Sequence, residues 1–376
     1  MALRDTRRLL GGHTPAAFVE RYWQKEPLLI RDAVPQFTPI ARDDLFALAA
    51  RDDVEACCVR RVRGRYEMQP GPFPAAALRR MPSRDWTLLV HGVNLHCDAA
   101  DALLRRFAFV PFARLDDVMV SYAAPGGGVG PHFDSYDVFL LQGNGKRRWR
   151  YGRQQDLSLR PTAPLKILQT FVPEHDATLA HGDMLYVPPE FAHEGTALDE
   201  CMTYSVGFRA PSNQEITEAF LDHVRDALAI PGRYADPDLH ATSLPARIDR
   251  LMQRRLGETI ARVRWTRQDI DRFIGRFLTE PKPNVVFEAR PRASRMSFVR
   301  QSSRAGVRLD RRTQLLYDDA QFYVNGDSGA LASTSSEAVR ILADQRRLSA
   351  DACAALDAFT LDLFLDWYRH GFLTTA

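Results

Sequence analysis

The sequence predicts an α+β chain: a barrel or jelly roll of short strands, then helices, then a small mixed module of winged-helix type. Three observations predict it. Between residues 30 and 210, short apolar runs alternate with Gly- and Pro-containing turns. After Pro211 the strand pattern stops, and apolar residues recur at four-residue steps. The last hundred or so residues, taken here as 268–376, mix a strand pair with helices.

Thr14-Pro15 reads as an N-cap followed by a first-turn proline, opening a helix through Phe18, Tyr22 and Trp23. Pro27-Leu28-Leu29-Ile30 then reads as a strand. Further strands are expected at 86–90, 118–122, 138–142, 147–151, 184–187 and 203–208. Over 213–229, Ile216, Phe220, Val224 and Leu228 form a helical stripe that Pro231-Gly232 ends. Helices are also expected at about 244–265 and from Asp269 onward. Leu315-Leu316-Tyr317 and 321–324 flank Asp318-Asp319 as a strand pair, and Asn325-Gly326 supplies a further turn. Ser335-Ser336-Glu337 leads into helices ending near Arg369, with the Phe and Leu stripe at 359–365 used for packing.

A chain of 376 residues exceeds the usual single-domain size, and 45% hydrophobic with 26% charged residues is ordinary for a globular protein, which argues against disorder. The net charge of +3 is small for this length, although the basic residues are nearly all arginine, with Lys only at 25, 146, 166 and 282. That balance is not a nucleic-acid footprint. Cys57, Cys58, Cys97, Cys201 and Cys353 form no CxxC pair, and their odd number argues against a disulfide framework. The N-terminus lacks the apolar core of a signal peptide and no run approaches a membrane span, so a cytoplasmic location is expected.

The chemistry centres on Gly130-Pro131-His132-Phe133-Asp134, after the turn Pro125-Gly126-Gly127-Gly128. Residues i and i+2 of a strand project from one face, so His132 and Asp134 can converge on a cation. His193 is the best third candidate, behind the turn, strand and corner Gly182-Asp183-Met184-Leu185-Tyr186-Val187-Pro188-Pro189. Two histidines and a carboxylate leave coordination positions open, as a non-haem Fe(II) oxygenase requires, whereas structural zinc closes its shell. An isolated HxD is more often a polar loop or a satisfied core histidine. Histidines 91, 96 and 181 lack partners at ligand spacing and read as structural.

In Lys146-Arg147-Arg148-Trp149-Arg150, alternation places Arg147 and Trp149 on one face and three cations on the other. A lone inward arginine costs several kcal/mol unless a carboxylate pairs with it. The bland alternative is an outward basic edge.

At these residues the sequence resembles the JmjC-type ribosomal oxygenases of the cupin superfamily, specifically the bacterial branch acting on an arginine of large-subunit ribosomal protein L-sixteen. The resemblance rests on Tyr22-Trp23-Gln24-Lys25-Glu26-Pro27-Leu28-Leu29, Pro125-Gly126-Gly127-Gly128-Val129-Gly130-Pro131-His132, Tyr136-Asp137-Val138-Phe139, Gln142-Gly143 through Trp149-Arg150, and Gly182 through Pro189. It is densest over 14–210. It implies a double-stranded β-helix catalytic domain over 1–210, a helical dimerisation region over 211–267 and a winged-helix-like domain over 268–376. It further implies Fe(II) held by His132, Asp134 and His193, 2-oxoglutarate held by Arg147 and Ser121, O2 as co-reactant, and a substrate arginine held by Asp117 and Tyr136. The implied product is a 3-hydroxyarginine, and the implied partners are a ribosomal protein and a second copy of the chain. Phe133 stands where relatives often carry an aliphatic residue, and its side chain is expected to face away from the iron.

Two other readings share these residues. N-methyl-lysine demethylation would use the same site. A cupin-like metal or ligand-binding module with a winged-helix interaction domain would need no catalysis. Arg340, Arg346 and Arg347 lie in the helical part of that domain, but Glu337, Asp344 and Asp351 interleave with them, so direct nucleic-acid binding is not expected.

Overall fold

The computed structural model describes residues 3–161, 163–331 and 336–375; Ser335, part of the expected lead into the C-terminal helices, lies outside the described residues. Eight strands make one antiparallel sheet in the order Leu28–Ile30, Met184–Val187, Val138–Asn144, Cys201–Phe208, Leu115–Ala123, Trp86–Val90, Ala56–Val62, Arg65–Pro70. A second sheet, Ala192–Ala197, Arg147–Gly152 and His175–Leu179, faces it. The expected jelly roll is present.

The strand Val138–Asn144 explains how the layers pack. Val138 and Leu140 meet Trp149, Tyr151 and Leu179 of the smaller sheet. Phe139 and Leu141 face the other way, into a core that includes Phe18, Phe107 and Tyr186. A strand buried on both faces reads as an unbroken apolar run, which is why this one was legible. Arg147–Gly152 alternates as expected, with Arg147 and Trp149 buried and Arg148 exposed.

Thr14 caps the helix Pro15–Arg21 by accepting from Ala17 N–H, and that helix drives Phe18 into the sheet's outer core. Among the described residues, the jelly-roll strands Ala56–Val62, Arg65–Pro70, His175–Leu179 and Ala192–Ala197, and the C-terminal strands Val307–Leu309, Asp327–Ala330, Arg347–Leu348 and Leu373–Thr375, have no counterpart among the strand runs read from the sequence. Arg65–Pro70 and His175–Leu179 end their sheets and are mostly exposed, so apolar runs do not mark them.

Beyond the jelly roll, Ser212 and Glu215 form a capping box that starts the helix Asn213–Ala227. Its stripe divides. Phe220 packs on Trp265 and Phe273, while Ile216 and Leu228 stay exposed. The helix expected over 244–265 is shorter, Arg250–Ile260, because the Asp249 carboxylate caps the Leu251 and Met252 amides and sets its start. The next helix is Arg267–Thr279; Asp269 is the capping-box acid of Thr266 within its first turn rather than its first residue. The C-terminal part has two three-stranded sheets and the helices Arg295–Ala305, Ser336–Gln345, Ala350–Ala354 and Ala358–His370 around a separate core that includes Phe298, Phe364 and Trp367. Among the described residues no helix is long and apolar enough to cross a membrane.

Candidate metal centre and active site

The glycine-rich turn lets the HxD segment press against both sheets. A Cβ added to Gly127 would meet Trp86 O at 2.2 Å, and one on Gly128 would meet Gly195 O at 2.4 Å. His132 then pairs with His193 as antiparallel neighbours: His132 N–H donates to His193 O at 3.0 Å and His193 N–H to His132 O at 2.8 Å. One backbone ladder therefore sets the separation of two candidate ligands.

The rings are also oriented. His132 Nδ1 lies 2.9 Å from Gly130 O and His193 Nδ1 lies 3.0 Å from Phe191 O. A carbonyl only accepts, so each proton sits on Nδ1 and each Nε2 keeps its lone pair for a metal. Burial, and then the neighbouring His132, push the His193 imidazole down to about 4 against the opposing pull of Asp134, so it is neutral at pH 7. Asp134 Oδ2 approaches His193 Nε2 to 3.6 Å, and candidate ligand atoms of His132, Asp134 and His193 all lie within 4.8 Å of one another. Two imidazoles with Nε2 free and one carboxylate on one side of a cavity form the donor set of a facial triad.

Arg147 lies behind this cluster. Its residue is 5% exposed, its guanidinium carbon sits 5.8 Å from the Trp149 ring centre, and Nη1 donates to Ser121 Oγ at 3.2 Å. Nε and Nη2 are buried without a hydrogen-bond partner. A buried cation with two donors unused is costly, and a planar carboxylate satisfies both. The residues present thus fit a divalent metal together with a small dicarboxylate.

The seven candidate iron, 2-oxoglutarate and substrate residues all line one cavity of about 330 Å³: Ser121, Arg147, His132, Asp134, His193, Asp117 and Tyr136. Asp117 and Tyr136 flank Gly207, where an added Cβ would lie 3.6 Å from Asp117 Oδ1 and 4.0 Å from the Tyr136 ring. Burial raises the Asp117 carboxyl above the usual carboxylate range, with Lys282 pulling the other way. Burial, then the Asp134 charge, also raises the Tyr136 phenol. Phe133, expected to face away from the metal ligands, contributes to the cavity lining. His91, read as structural, also lines it.

Comparison with known proteins follows the same geometry. Residues 102–216 match the JmjC domain and residues 262–374 the ROXA-like winged helix. The X-ray structure of Escherichia coli ycfD superposes with a TM-score of 0.82 at 31% identity, over 95% of this chain and 96% of that one. A structure described as YcfD, a ribosomal oxygenase from Escherichia coli in complex with cobalt and 2-oxoglutarate, matches over the same shares with a TM-score of 0.76 and 30% identity. The chain belongs to the ribosomal oxygenase family. Among curated proteins, the ribosomal protein uL16 3-hydroxylase of Escherichia coli K12 is 40% identical over 231 residues, 61% of each chain. The probable ribosomal oxygenase of Haemophilus influenzae is 35% identical over 251 residues, 64% of this chain and 59% of that protein. The aligned stretch thus spans about three-fifths of those two relatives.

One more residue of this chain reaches the cavity from far along the sequence. Lys282, in the loop after the helix Arg267–Thr279, places Nζ 2.9 Å from Asp116 Oδ1 and 3.7 Å from Asp117 Oδ2. No local motif marks it. Its sole sequence signal is that lysine is rare in a chain that otherwise uses arginine.

Proposed function

We propose that this ribosomal oxygenase is an Fe(II)- and 2-oxoglutarate-dependent enzyme that hydroxylates the β-carbon of an arginine in ribosomal protein L-sixteen, the uL16 of its relative's name. The observation that carries the reading is Arg147, a buried guanidinium with two unused donors in the same cavity as the His132, Asp134 and His193 cluster. Structural zinc would leave that arginine without a purpose.

In this reading His132, Asp134 and His193 hold the iron through Nε2, a carboxylate oxygen and Nε2. Arg147 and Ser121 hold the distal carboxylate of 2-oxoglutarate. When bound, iron, 2-oxoglutarate and O2 supply the oxidising equivalents, yielding succinate, carbon dioxide and the hydroxylated carbon. Asp117 and Tyr136 bind the substrate guanidinium and so fix which carbon lies near the metal. The Gly130 and Phe191 carbonyls hold the two imidazoles in the ligating tautomer. Trp149, its ring tilted 5.9 Å from that of His193 and 5.8 Å from the Arg147 guanidinium carbon, lines the cavity between them.

The division into a catalytic domain over 1–210, a helical dimerisation region over 211–267 and a winged-helix domain over 268–376 belongs to the same proposal. Ile216, Leu221, Leu256 and Ile260 are exposed on helices that bury no residue, and Leu228 is exposed just beyond the first of them, which supports a homodimer through this region. Light scattering at twice the chain mass is the expected result, and a single chain mass contradicts it. A ribosomal substrate also makes the cytoplasm the expected location. Arg346 donates to the Asp310 and Thr313 carbonyls and Arg340 stacks on Tyr317, so these cations are engaged within the protein rather than offered to nucleic acid.

The substrate class is tested by 2-oxoglutarate turnover with iron and a panel of peptides. An L-sixteen fragment is expected to stimulate succinate formation; stimulation by N-methyl-lysine peptides alone, with methyl loss, would support demethylation instead.

A further inference from the structure

Asp117 is placed to receive a guanidinium, yet a cation of the chain's own already stands beside it. Asp117 Oδ2 accepts from Gly92 N–H at 2.9 Å, and Oδ1 lies toward Gly207 and Tyr136. Lys282 Nζ makes a hydrogen-bond-length contact with Asp116 and stands at 3.7 Å from Asp117. Burial depresses the Lys282 ammonium, but the two carboxylates outweigh it and its pKa stands above the usual lysine value. It is charged at neutral pH.

The position is built, although the side chain is half-exposed. Pro281 and Pro283 flank Lys282 and restrict its backbone, and Lys282 O accepts from Val285 N–H at 2.9 Å. Arg209, just after the last jelly-roll strand, donates to the Leu278 and Phe277 carbonyls at the end of the preceding helix. Asn284 donates to Asp53 O at 3.1 Å. The loop is therefore fastened to the catalytic domain on both sides of Lys282, with the ammonium aimed at the two aspartates.

The choice of lysine matters physically. An arginine here would grip both carboxylates with a planar fork and resist displacement. An ammonium is a point charge with no bidentate geometry, and its side chain is 48% exposed, so water can take it back when a stronger partner arrives. We infer that Lys282 is an affinity-setting residue of the substrate site: a tethered, displaceable cation that occupies the Asp116 and Asp117 carboxylates until the substrate guanidinium replaces it. This rests on the reading of Asp117 as the guanidinium partner. It gives the C-terminal part of the chain a role in the catalytic cavity, since the loop after Arg267–Thr279 must release its lysine when substrate binds. The cost is a weaker apparent affinity for every cationic side chain, by the factor that closing the internal ion pair imposes.

The test uses the iron- and 2-oxoglutarate-loaded protein without oxygen, titrated with a labelled L-sixteen fragment bearing either the target arginine or citrulline, its neutral near-isostere. Lys282→Gln is expected to tighten binding of the arginine fragment about two- to fivefold, the range of a part-exposed ion pair, and to leave the citrulline fragment unchanged. Lys282→Arg keeps the charge but is expected to weaken the arginine fragment by at least as much. Simple charge repulsion would leave Lys282→Arg equal to wild type, and that result overturns the proposal, as does weaker or unchanged binding of the arginine fragment by Lys282→Gln. If wild-type protein binds arginine and citrulline fragments equally, the Asp117 reading itself has failed. If it prefers arginine and neither substitution matters, only the role of Lys282 has failed.

Discussion

Asp134→Ala and His132→Ala are each expected to abolish the proposed hydroxylation while leaving a folded chain. Removing a group that merely orients a metal ligand costs 10–100-fold in affinity or activity. Removing a ligand from a three-residue set is expected to cost at least on the order of a hundredfold, and measurable turnover should vanish. The fold survives because the backbone pairing of residues 132 and 193 uses main-chain atoms and neither lost side chain belongs to an apolar core. Circular dichroism and a melting curve check the fold, and succinate formation checks the chemistry. Full activity in either variant would remove the site from the account.

Arg147→Met separates cosubstrate binding from stability, and its two effects run in opposite directions. The guanidinium has one internal partner, Ser121, and two buried donors without one. A carboxylate across both would make charge-assisted hydrogen bonds of about 1.5–3 kcal/mol each. At about 1.4 kcal/mol per tenfold, losing both raises the KM for 2-oxoglutarate by at least on the order of a hundredfold. In the cosubstrate-free protein, methionine fills similar volume without an underpaired buried charge, so the melting point is expected to rise. An unchanged KM would place the cosubstrate elsewhere, and a lower melting point would mean that Arg147 is structural.

The legible parts of this molecule were those whose side chains face one environment over several residues. Val138–Asn144 is apolar on both faces and reads as a strand without ambiguity. Arg147 was found because alternation separated it from Arg148 on a half-buried strand. Arg65–Pro70 and His175–Leu179 were missed because edge strands take their stability from backbone pairing and show little apolar pattern. Helix starts were misplaced where a carboxylate cap, Asp249, or a capping-box partner, Asp269, sets the boundary.

Within the site, residues on strands near the motif were accessible to sequence reasoning. The resemblance contributed Ser121, Asp117 and Tyr136, which no spacing rule would have chosen. His91 and Lys282 escaped because they reach the cavity by tertiary placement, one after the strand Trp86–Val90 and the other from a loop beyond the helix Arg267–Thr279. Local pattern carries no information about such an approach.

The proposed placement of an arginine β-carbon of L-sixteen beside the metal in this cavity is tested most directly by fragmentation mass spectrometry of an L-sixteen fragment after incubation with the protein, Fe(II), 2-oxoglutarate and O2. The account predicts a single added oxygen on one arginine, assigned to its β-carbon, and none with Asp134→Ala. Oxygen on another residue type, or loss of a methyl group, would contradict it.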